Sequence, residues 1–261
     1  MTGPLMLSGS HEHTPSSRTG DRALLASLDV ARPRVVVVPA ASGVRRRPAA
    51  ALAAERYWKR MGVTVDVVEV DRAGAGRAAV DALRDADAIV LTGGHPTRLP
   101  TATTTAMWPH IVARWRRGAA LAGSSAAAMV LCEWRQRLAP PRPLQLVRGF
   151  GPVPGCAAAP HFNRAAVRRW TLAASRARPD VTIVGLDEGA AIIWRHGRYT
   201  VRGTGVMSLI RAGTAARYHP GERLPDEPGS AGLGRDRFPP PWAPPRDIAL
   251  PLRTAGAARA C

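Results

Sequence analysis

Cysteine is scarce in this chain of 261 residues: there are three, Cys132, Cys156 and Cys261, and no two of them form a Cys-x-x-Cys pair. An odd number of widely spaced cysteines argues against a disulfide framework and against a zinc site. Phosphate-binding loops of the G-x-x-x-x-G-K and G-x-G-x-x-G types are also missing. We therefore expect a reducing compartment, no metal and no other cofactor.

Long hydrophobic runs are absent as well. The longest candidate, Ala119 to Cys132, is interrupted by Gly123, Ser124 and Ser125, and a membrane-spanning helix needs about eighteen consecutive apolar residues. The N-terminus, MTGPLMLSGSHEH, has neither a basic segment nor an apolar run before a cleavage site of small residues. These absences predict a soluble, cytoplasmic protein without a membrane partner.

Lysine is nearly missing, since Lys59 is the only one, and arginine supplies almost all of the positive charge behind a formal net charge of +18. A charge of this size leaves an Arg-driven nucleic-acid binder as one alternative function. The arginines accompany Ala, Gly and Pro along the whole chain, which is typical of a GC-rich coding bias. We therefore interpret them as scattered, solvated side chains and do not expect nucleic acid as a partner.

Apolar runs and helical segments alternate from residue 34 onward. The run Arg34 to Pro39, RVVVVP, is typical of a strand that is buried on both faces. The pattern predicts further strands at Val63–Val70, Ala88–Thr92, Ala119–Ala122, Val181–Gly185 and Val206–Ile210, and a hairpin at Ala190–Arg202. It predicts helices at Arg22–Leu28, Ala49–Met61, Ala75–Asp85, Thr103–Arg117, Asn163–Arg176 and from Ala126 to about Trp134. This alternation indicates an α/β fold, a mainly parallel open sheet with helices on both faces.

One domain is expected, because 261 residues with 46% hydrophobic content allow one sizeable core. We place it at residues 1–212. The stretch Arg135–Pro160 is rich in Pro and Gly, and we interpret it as mainly loop. Residues 213–261 are rich in Pro, Gly and Arg with little periodicity, which predicts a disordered tail.

The sharpest local signal is the turn of small residues around Ser125, AGSSAAA, between a predicted strand and a predicted helix. A nucleophile elbow holds its serine on a strained turn that leaves room only for small neighbours. The N–H groups of Ala126 and of Gly94, which lies at the end of another predicted strand, are candidate oxyanion donors. Close packing of a helix on a sheet requires the same small residues, so the pattern alone leaves both interpretations open.

A serine nucleophile needs a general base, and His161 is the best candidate because it follows the loop and directly precedes a predicted helix. Cys156 lies five residues earlier, but it has no elbow around it, so a buried or idle thiol is the preferred interpretation. The segment His11-Glu12-His13 has the residue types of a metal site. It has no fourth partner nearby, and we interpret it as a solvated polar segment.

From Gly3 to about Ile210 the chain resembles the dipeptidase E and cyanophycinase family of serine peptidases, whose fold is similar to that of class I glutamine amidotransferases. The resemblance rests on a collinear series: VVVVPAAS at 35–42, TGG at 92–94, GSSAAAM at 123–129, PHF at 160–162 and GLDE at 185–188. It implies that Ser125 is the nucleophile, that His161 is the base and that Glu188 orients the base.

More than one acid could orient His161. Asp187 and Glu188 both follow a predicted strand, so both are expected at the same sheet edge as the elbow. Glu133 is a rival, but on the predicted helix it lies roughly 12 Å from Ser125 along the axis and would point away from the site.

Two departures from the family pattern bear on the substrate. Ala127 replaces a glycine that is common in the elbow, and Ala159 stands where cyanophycinases carry an aspartate. We therefore expect a serine-type hydrolase of small peptides or amides other than cyanophycin, and a homo-oligomer is compatible with the sequence. A catalytically silent amidotransferase-like binding module is the main alternative.

Overall fold

The computed structural model describes residues 2–39, 41, 47–68, 76–96, 99, 102–137, 145–196 and 198–224. The predicted tail beyond residue 224 lies outside these residues. The helices are α1 Arg18–Ala26, α2 Arg47–Lys59, α3 Arg77–Asp85, α4 Ala102–Arg116, α5 Ala126–Leu131 and α6 Ala165–Ala177. The strands are β1 Leu5–Ser8, β2 Arg34–Val38, β3 Thr64–Val67, β4 Ala88–Leu91, β5 Ala120–Ser124, β6 Cys132–Arg137, β7 Gln145–Arg148, β8 Val153–Pro160, β9 Thr182–Leu186, β10 Ala190–Arg195, β11 Arg198–Gly203, β12 Met207–Arg211 and β13 Thr214–Tyr218.

The first sheet contains seven of these strands, in the order β11-β10-β1-β5-β4-β2-β3. Five neighbouring strands run parallel, namely β1, β5, β4, β2 and β3. Strands β10 and β11 add an antiparallel hairpin next to β1, at one edge of the sheet. The parallel strands β2, β4 and β5 are short and almost wholly buried, and most of their residues are Val, Ile, Leu and Ala; the edge strand β3 is exposed or half-buried. This composition suits strands that are covered on both faces.

The second sheet has the order β13-β12-β9-β8-β6-β7. Its central strands β6, β8 and β9 are parallel, and the strands outside them are antiparallel. The predicted fold class is confirmed as an α/β architecture in which helices flank mainly parallel strands. The sequence predicted one sheet, whereas the described residues form two.

Helices fill the space around the sheets and complete the core. Trp108 and Trp115 of α4 and Trp58 of α2 are at most 2% exposed, and they belong to two hydrophobic clusters that also contain strand residues. Trp115 donates a hydrogen bond from its indole N–H to the carbonyl oxygen of Gly3 at 2.9 Å. Within the described residues, the helices all fall short of the length and apolarity needed to cross a membrane.

Several sequence-based element predictions were wrong. The region 135–160 is not mainly loop, because it contributes half of β6 together with β7 and β8. The helix after Ser125 ends at Leu131 and does not reach Trp134. Strand β1 was not predicted, and α1 begins at Arg18, four residues before the predicted start at Arg22.

The domain boundary predicted at residue 212 is corrected by β13, which pairs with β12 along its whole length. Leu224 is also part of the core, with 4% of its surface exposed. The domain therefore extends at least to residue 224.

Candidate active site

Three neighbouring strands of the first sheet end at the same edge and deliver polar residues there. Strands β1, β5 and β4 are parallel neighbours, so their carboxyl ends lie side by side. Strand β5 leads into Ser125, β4 leads into the Gly93-Gly94 turn, and β1 leads into the segment around Glu12. Ligands bind at such carboxyl ends in open parallel sheets.

Ser125 lies on a strained turn between β5 and α5. Its backbone has φ 50° and ψ −112°, a conformation that a residue with a side chain rarely adopts. Its N–H donates to the carbonyl oxygen of Ser8 at 3.0 Å, which ties the turn to β1. A Cβ atom on Gly123 would lie 2.6 Å from Leu131 Cδ1 and 3.0 Å from the carbonyl carbon of Ala127, so the turn has no room for a larger residue.

His161 comes from the second sheet, directly after β8. Its Nε2 atom lies 3.2 Å from Ser125 Oγ, within hydrogen-bonding distance. The backbone of His161 also has a positive φ of 56°. Phe162 N–H donates to Leu186 O at 3.0 Å, and this bond anchors the turn to β9.

Glu188 follows β9 and approaches the other ring nitrogen of His161. The distance between His161 Nδ1 and Glu188 Oε1 is 2.8 Å. Arg164 Nε donates to the same oxygen at 2.9 Å, and Asn163 contacts the second oxygen at 3.4 Å. The hydrogen bond with His161 is the main reason that the pKa of Glu188 falls to about 2; partial burial opposes it, and Arg164 and Asn163 lower it further.

The structure thus brings together Ser125, His161 and Glu188, and of the adjacent acids it is Glu188 that contacts the histidine. Glu133 lies in β6 and is occupied elsewhere: it forms an ion pair with Arg148 and accepts a hydrogen bond from the Gly155 N–H at 2.7 Å. It was expected to lie away from the site on a helix; it does lie away from the site, but on a strand.

The segment His11-Glu12-His13 was interpreted as a solvated polar segment, and that interpretation was wrong. Glu12 Oε1 accepts a hydrogen bond from the Gly93 N–H at 2.7 Å, and Oε2 accepts one from Ser124 Oγ at 2.8 Å. His11 Nε2 lies 3.7 Å from Glu188 Oε2. The sequence signal that could have revealed these contacts is β1, whose three apolar residues, Leu5 to Leu7, end shortly before the polar segment.

The predicted oxyanion donors are backbone groups on either side of Ser125. Ala126 is the first residue of α5, and Gly94 lies in the turn that packs against the elbow. A Cβ atom on Gly93 would lie 3.0 Å from Ser125 Cβ, and a Cβ on Gly94 would lie 2.2 Å from the carbonyl oxygen of Ala41. Gly93 therefore allows the turn to approach the nucleophile closely, and Gly94 allows the same turn to approach the backbone of Ala41.

Other candidate groups do not join this arrangement. Cys156 is fully buried within β8, and burial raises the pKa of its thiol well above the ordinary value. Within the described residues, His, Cys, Asp and Glu side chains form no cluster of three or more with the geometry of a metal site.

The arrangement can activate a hydroxyl group for attack on a carbonyl carbon. A histidine can take the serine proton through Nε2 while a carboxylate fixes its Nδ1–H, and backbone N–H groups nearby can stabilise an oxyanion.

Comparisons with known proteins bear on the fold and the family of the chain. A crystal structure of a peptidase from an acI-B1 actinobacterium has a TM-score of 0.70 and 24% identity, and the match covers 86% of this chain and 97% of that one. A protein assigned as a peptidase E from Listeria monocytogenes EGD-e has a TM-score of 0.57 and 16% identity, with 78% of this chain and 99% of that one covered. Both show the fold.

A search of curated protein sequences finds no significant match. The family model of peptidase family S51 matches residues 5–202. The chain therefore belongs to peptidase family S51, the dipeptidase E family, and is a peptidase.

Proposed function

We propose that this peptidase is of the serine type and hydrolyses small peptides or amides through an acyl-enzyme on Ser125. The observation that carries the proposal is the continuous contact from Ser125 Oγ through His161 to Glu188, with distances of 3.2 and 2.8 Å. Membership in the dipeptidase E family supports a short peptide as the substrate.

In the first half of the reaction, His161 Nε2 takes the proton of Ser125 while Oγ attacks the carbonyl carbon of the substrate. The negative charge that develops on the carbonyl oxygen is stabilised by the N–H groups of Gly94 and Ala126. His161 then gives its proton to the leaving amine, and the acyl group remains on Ser125. Water, activated by the same histidine, hydrolyses this ester in the second half.

Glu188 acts on the histidine. It accepts the Nδ1–H at 2.8 Å, so the Nε2 lone pair faces the serine and the imidazolium that forms during attack has a counter-charge. With a pKa of about 2, the carboxyl group is ionised at every pH at which a peptidase of this kind would act.

A fluorophosphonate probe tests the nucleophile directly, because it phosphonylates an activated serine. Ser125→Ala should abolish labelling and leave the fold intact, since one hydroxyl contributes little packing. His161→Ala should slow labelling by roughly two to four orders of magnitude, the usual contribution of a general base. Ser124→Ala is the comparison: it removes the neighbouring hydroxyl, and its labelling should be slowed far less than in Ser125→Ala, where labelling is abolished.

Persistent labelling in Ser125→Ala together with loss of labelling in Ser124→Ala would show that Ser124, and not Ser125, is the nucleophile. If the parent protein is not labelled and cleaves no short peptide in a screen, the chain is a silent binding module on the same fold.

A further inference from the structure

Glu12 lies at the edge of the candidate active site and contacts two of its elements at once. One carboxylate oxygen accepts the Gly93 N–H at 2.7 Å, and the other accepts the Ser124 hydroxyl at 2.8 Å. Gly93 belongs to the turn after β4, and Ser124 is the last residue of β5. A single side chain from the segment after β1 therefore connects the ends of both strands.

These contacts depend on the absence of a side chain at Gly93. A Cβ atom there would lie 2.5 Å from Glu12 Oε1 and 3.0 Å from Ser125 Cβ, so both neighbours would be displaced. The carboxylate thus occupies the space that the glycine leaves open, beside the nucleophile.

The segment that carries Glu12 is itself held in place. Thr14 Oγ1 donates to the carbonyl oxygen of His11 at 2.6 Å, and His11 Nε2 lies 3.7 Å from Glu188 Oε2. The ring of His13 packs at 5.4 Å from the ring of Tyr57. His11 and His13 both have positive φ angles, of 61° and 63°, so the backbone turns sharply on either side of Glu12.

The position of this connection matters for the oxyanion donors. Gly94 directly follows Gly93, and Ala126 lies two residues after Ser124. The Gly93 N–H is bonded to Glu12, so the candidate oxyanion donors are the next N–H along this turn, that of Gly94, and the N–H of Ala126. A displacement of about 1 Å between catalytic groups can slow a reaction a hundredfold.

We propose that Glu12 is a positioning residue, which holds the Gly93-Gly94 turn and the Ser124-Ser125 elbow at the spacing that oxyanion stabilisation requires. This proposal rests on the proposed serine mechanism. Glu12 acts through the two backbone elements, and its negative charge is not itself required, because the contacts that carry the role are two hydrogen bonds.

Two substitutions separate geometry from charge. In Glu12→Gln the amide oxygen can accept the Gly93 N–H and the amide N–H can donate to Ser124 Oγ, so both contacts persist without the charge. In Glu12→Ala both contacts are lost. Glu55→Ala is a matched control, since it removes an exposed carboxylate that pairs with Lys59 on α2.

The first measurement is the rate of labelling by a neutral fluorophosphonate. Glu12→Gln should stay within about threefold of the parent, and Glu12→Ala should be slower by about tenfold to a hundredfold. Ser124→Ala removes one of the same contacts, so the double variant Glu12→Ala/Ser124→Ala should be no slower than Glu12→Ala alone. Glu55→Ala should match the parent.

A labelling rate in Glu12→Gln as low as in Glu12→Ala would overturn the proposal, since charge would then be the essential property. Unchanged labelling in Glu12→Ala with a lowered melting temperature would also overturn it, because the role would be structural only.

A second measurement does not depend on activity. The Gly93 amide proton should exchange slowly in the parent and in Glu12→Gln, and faster by at least about tenfold in Glu12→Ala. Equal exchange in all three proteins would show that Glu12 does not hold the turn. A parent that exchanges as expected but is never labelled would instead refute the serine mechanism, and with it the catalytic part of this proposal.

Discussion

At the residue scale, the two reactive side chains sit on backbone positions that ordinary residues avoid. Ser125 and His161 have φ angles of 50° and 56°. Such conformations persist only where surrounding contacts impose them, and they cost of order 1–3 kcal/mol each. Here the contacts are main-chain hydrogen bonds, from Ser125 to Ser8 and from Phe162 to Leu186. These backbone conformations direct the Ser125 and His161 side chains toward each other at the carboxyl edge of the first sheet.

A buried carboxyl group lies near the N-terminal segment that carries Glu12. Asp21 of α1 is 7% exposed and accepts the Tyr57 hydroxyl at 2.6 Å. Burial is the main cause that raises the pKa of Asp21 to about 6, against the opposing hydrogen bonds from Tyr57 and Ser17. Burial and the adjacent Asp21 also raise the pKa of Tyr57.

This shift predicts that Asp21→Asn stabilises the protein at neutral pH. Between about pH 4 and pH 6 the folded protein holds a proton that the unfolded chain releases, so the parent loses stability as the pH rises through that window. An asparagine keeps the acceptor for Tyr57 and carries no charge. The free energy of unfolding of the variant relative to the parent should therefore increase by up to about 3 kcal/mol between pH 4 and pH 7.

Urea unfolding followed by tryptophan fluorescence at both pH values measures this difference. A difference that is the same at pH 4 and pH 7 would mean that the pKa of Asp21 is not raised in the folded protein.

At the residue scale, the sequence indicates the position of a side chain where the residue follows a recognisable strand. Ser125 and Glu188 follow apolar runs, and the collinear series added His161. Glu12 was missed because the four residues of β1 are too few to stand out in a mixed N-terminal region. The two glycines at 93 and 94 were recognised, but their sequence does not reveal which side chain occupies the space beside them.

At the element scale, the second sheet positions the base through one close contact. Phe162 packs its ring over Gly185 of β9, where a Cβ atom would lie 2.7 Å from Phe162 Cγ and 2.9 Å from Ile210 Cδ1. Phe162 is 6% exposed and belongs to the hydrophobic cluster between α6 and the second sheet. The turn that presents His161 therefore rests on a strand that needs glycine at this point.

We expect Gly185→Ala to impair both stability and reactivity. The added methyl group must displace the Phe162 ring, and overpacking of this kind costs about 1–3 kcal/mol. Because His161 is adjacent to Phe162, fluorophosphonate labelling should also slow by about tenfold or more. Thermal unfolding and the labelling rate, measured on the same preparation, check the two effects.

Gly76→Ala is the control for this substitution. A Cβ at Gly76 meets nothing within 4 Å, so its effect on stability should stay below about 1 kcal/mol and labelling should not change. A stable Gly185→Ala protein with parental labelling would show that the Phe162 contact does not position the base.

Element prediction failed mainly between residues 132 and 160. Strand β8 reads VPGCAAAP, and Ala, Gly and Pro are all depleted in strands. It forms nevertheless because it pairs with β6 on one side and β9 on the other, and its last five residues are buried. Such a strand is imposed by its tertiary neighbours, which the local sequence does not show.

At the scale of the whole molecule, the candidate site joins the two sheets. Ser125 comes from the first sheet, His161 comes from the second, and Glu188 lies on the short connection from β9 to β10 that passes between them. Gly9, at the end of β1, makes the close approach possible: its N–H donates to Ala190 O at 2.9 Å, and a Cβ there would lie 2.0 Å from Asp187 O. Separation of the sheets would therefore dismantle the site.

The sequence predicted the alternating architecture but not its division into two sheets. The βαβ pattern from β2 to β5 is regular, and those strands are parallel neighbours as expected. The division follows from α5, which ends at Leu131 and sends the chain into β6 of the second sheet. A helix of six residues within a small-residue stretch leaves no clear stop signal in the sequence.

The C-terminal limit of the domain gives a prediction at this scale. A chain that ends after residue 212 lacks β13, which pairs with β12, and Leu224, which is 4% exposed in the core. Loss of the leucine alone costs about 1.5–3 kcal/mol, and loss of the strand adds to it.

We therefore expect the chain 1–212 to melt at least about 5 °C below the full-length protein, since 1 kcal/mol corresponds to roughly 2–4 °C at this size. The chain 1–226 is the matched control and should keep both the melting temperature and the labelling rate of the full chain, because it retains Leu224 and the bridge between Thr200 and Arg223. Differential scanning calorimetry and fluorophosphonate labelling of the three proteins test this boundary.

Equal stability of 1–212 and 1–226 would return the boundary to residue 212, and a loss of labelling in 1–226 would mean that residues 227–261 contribute to the site.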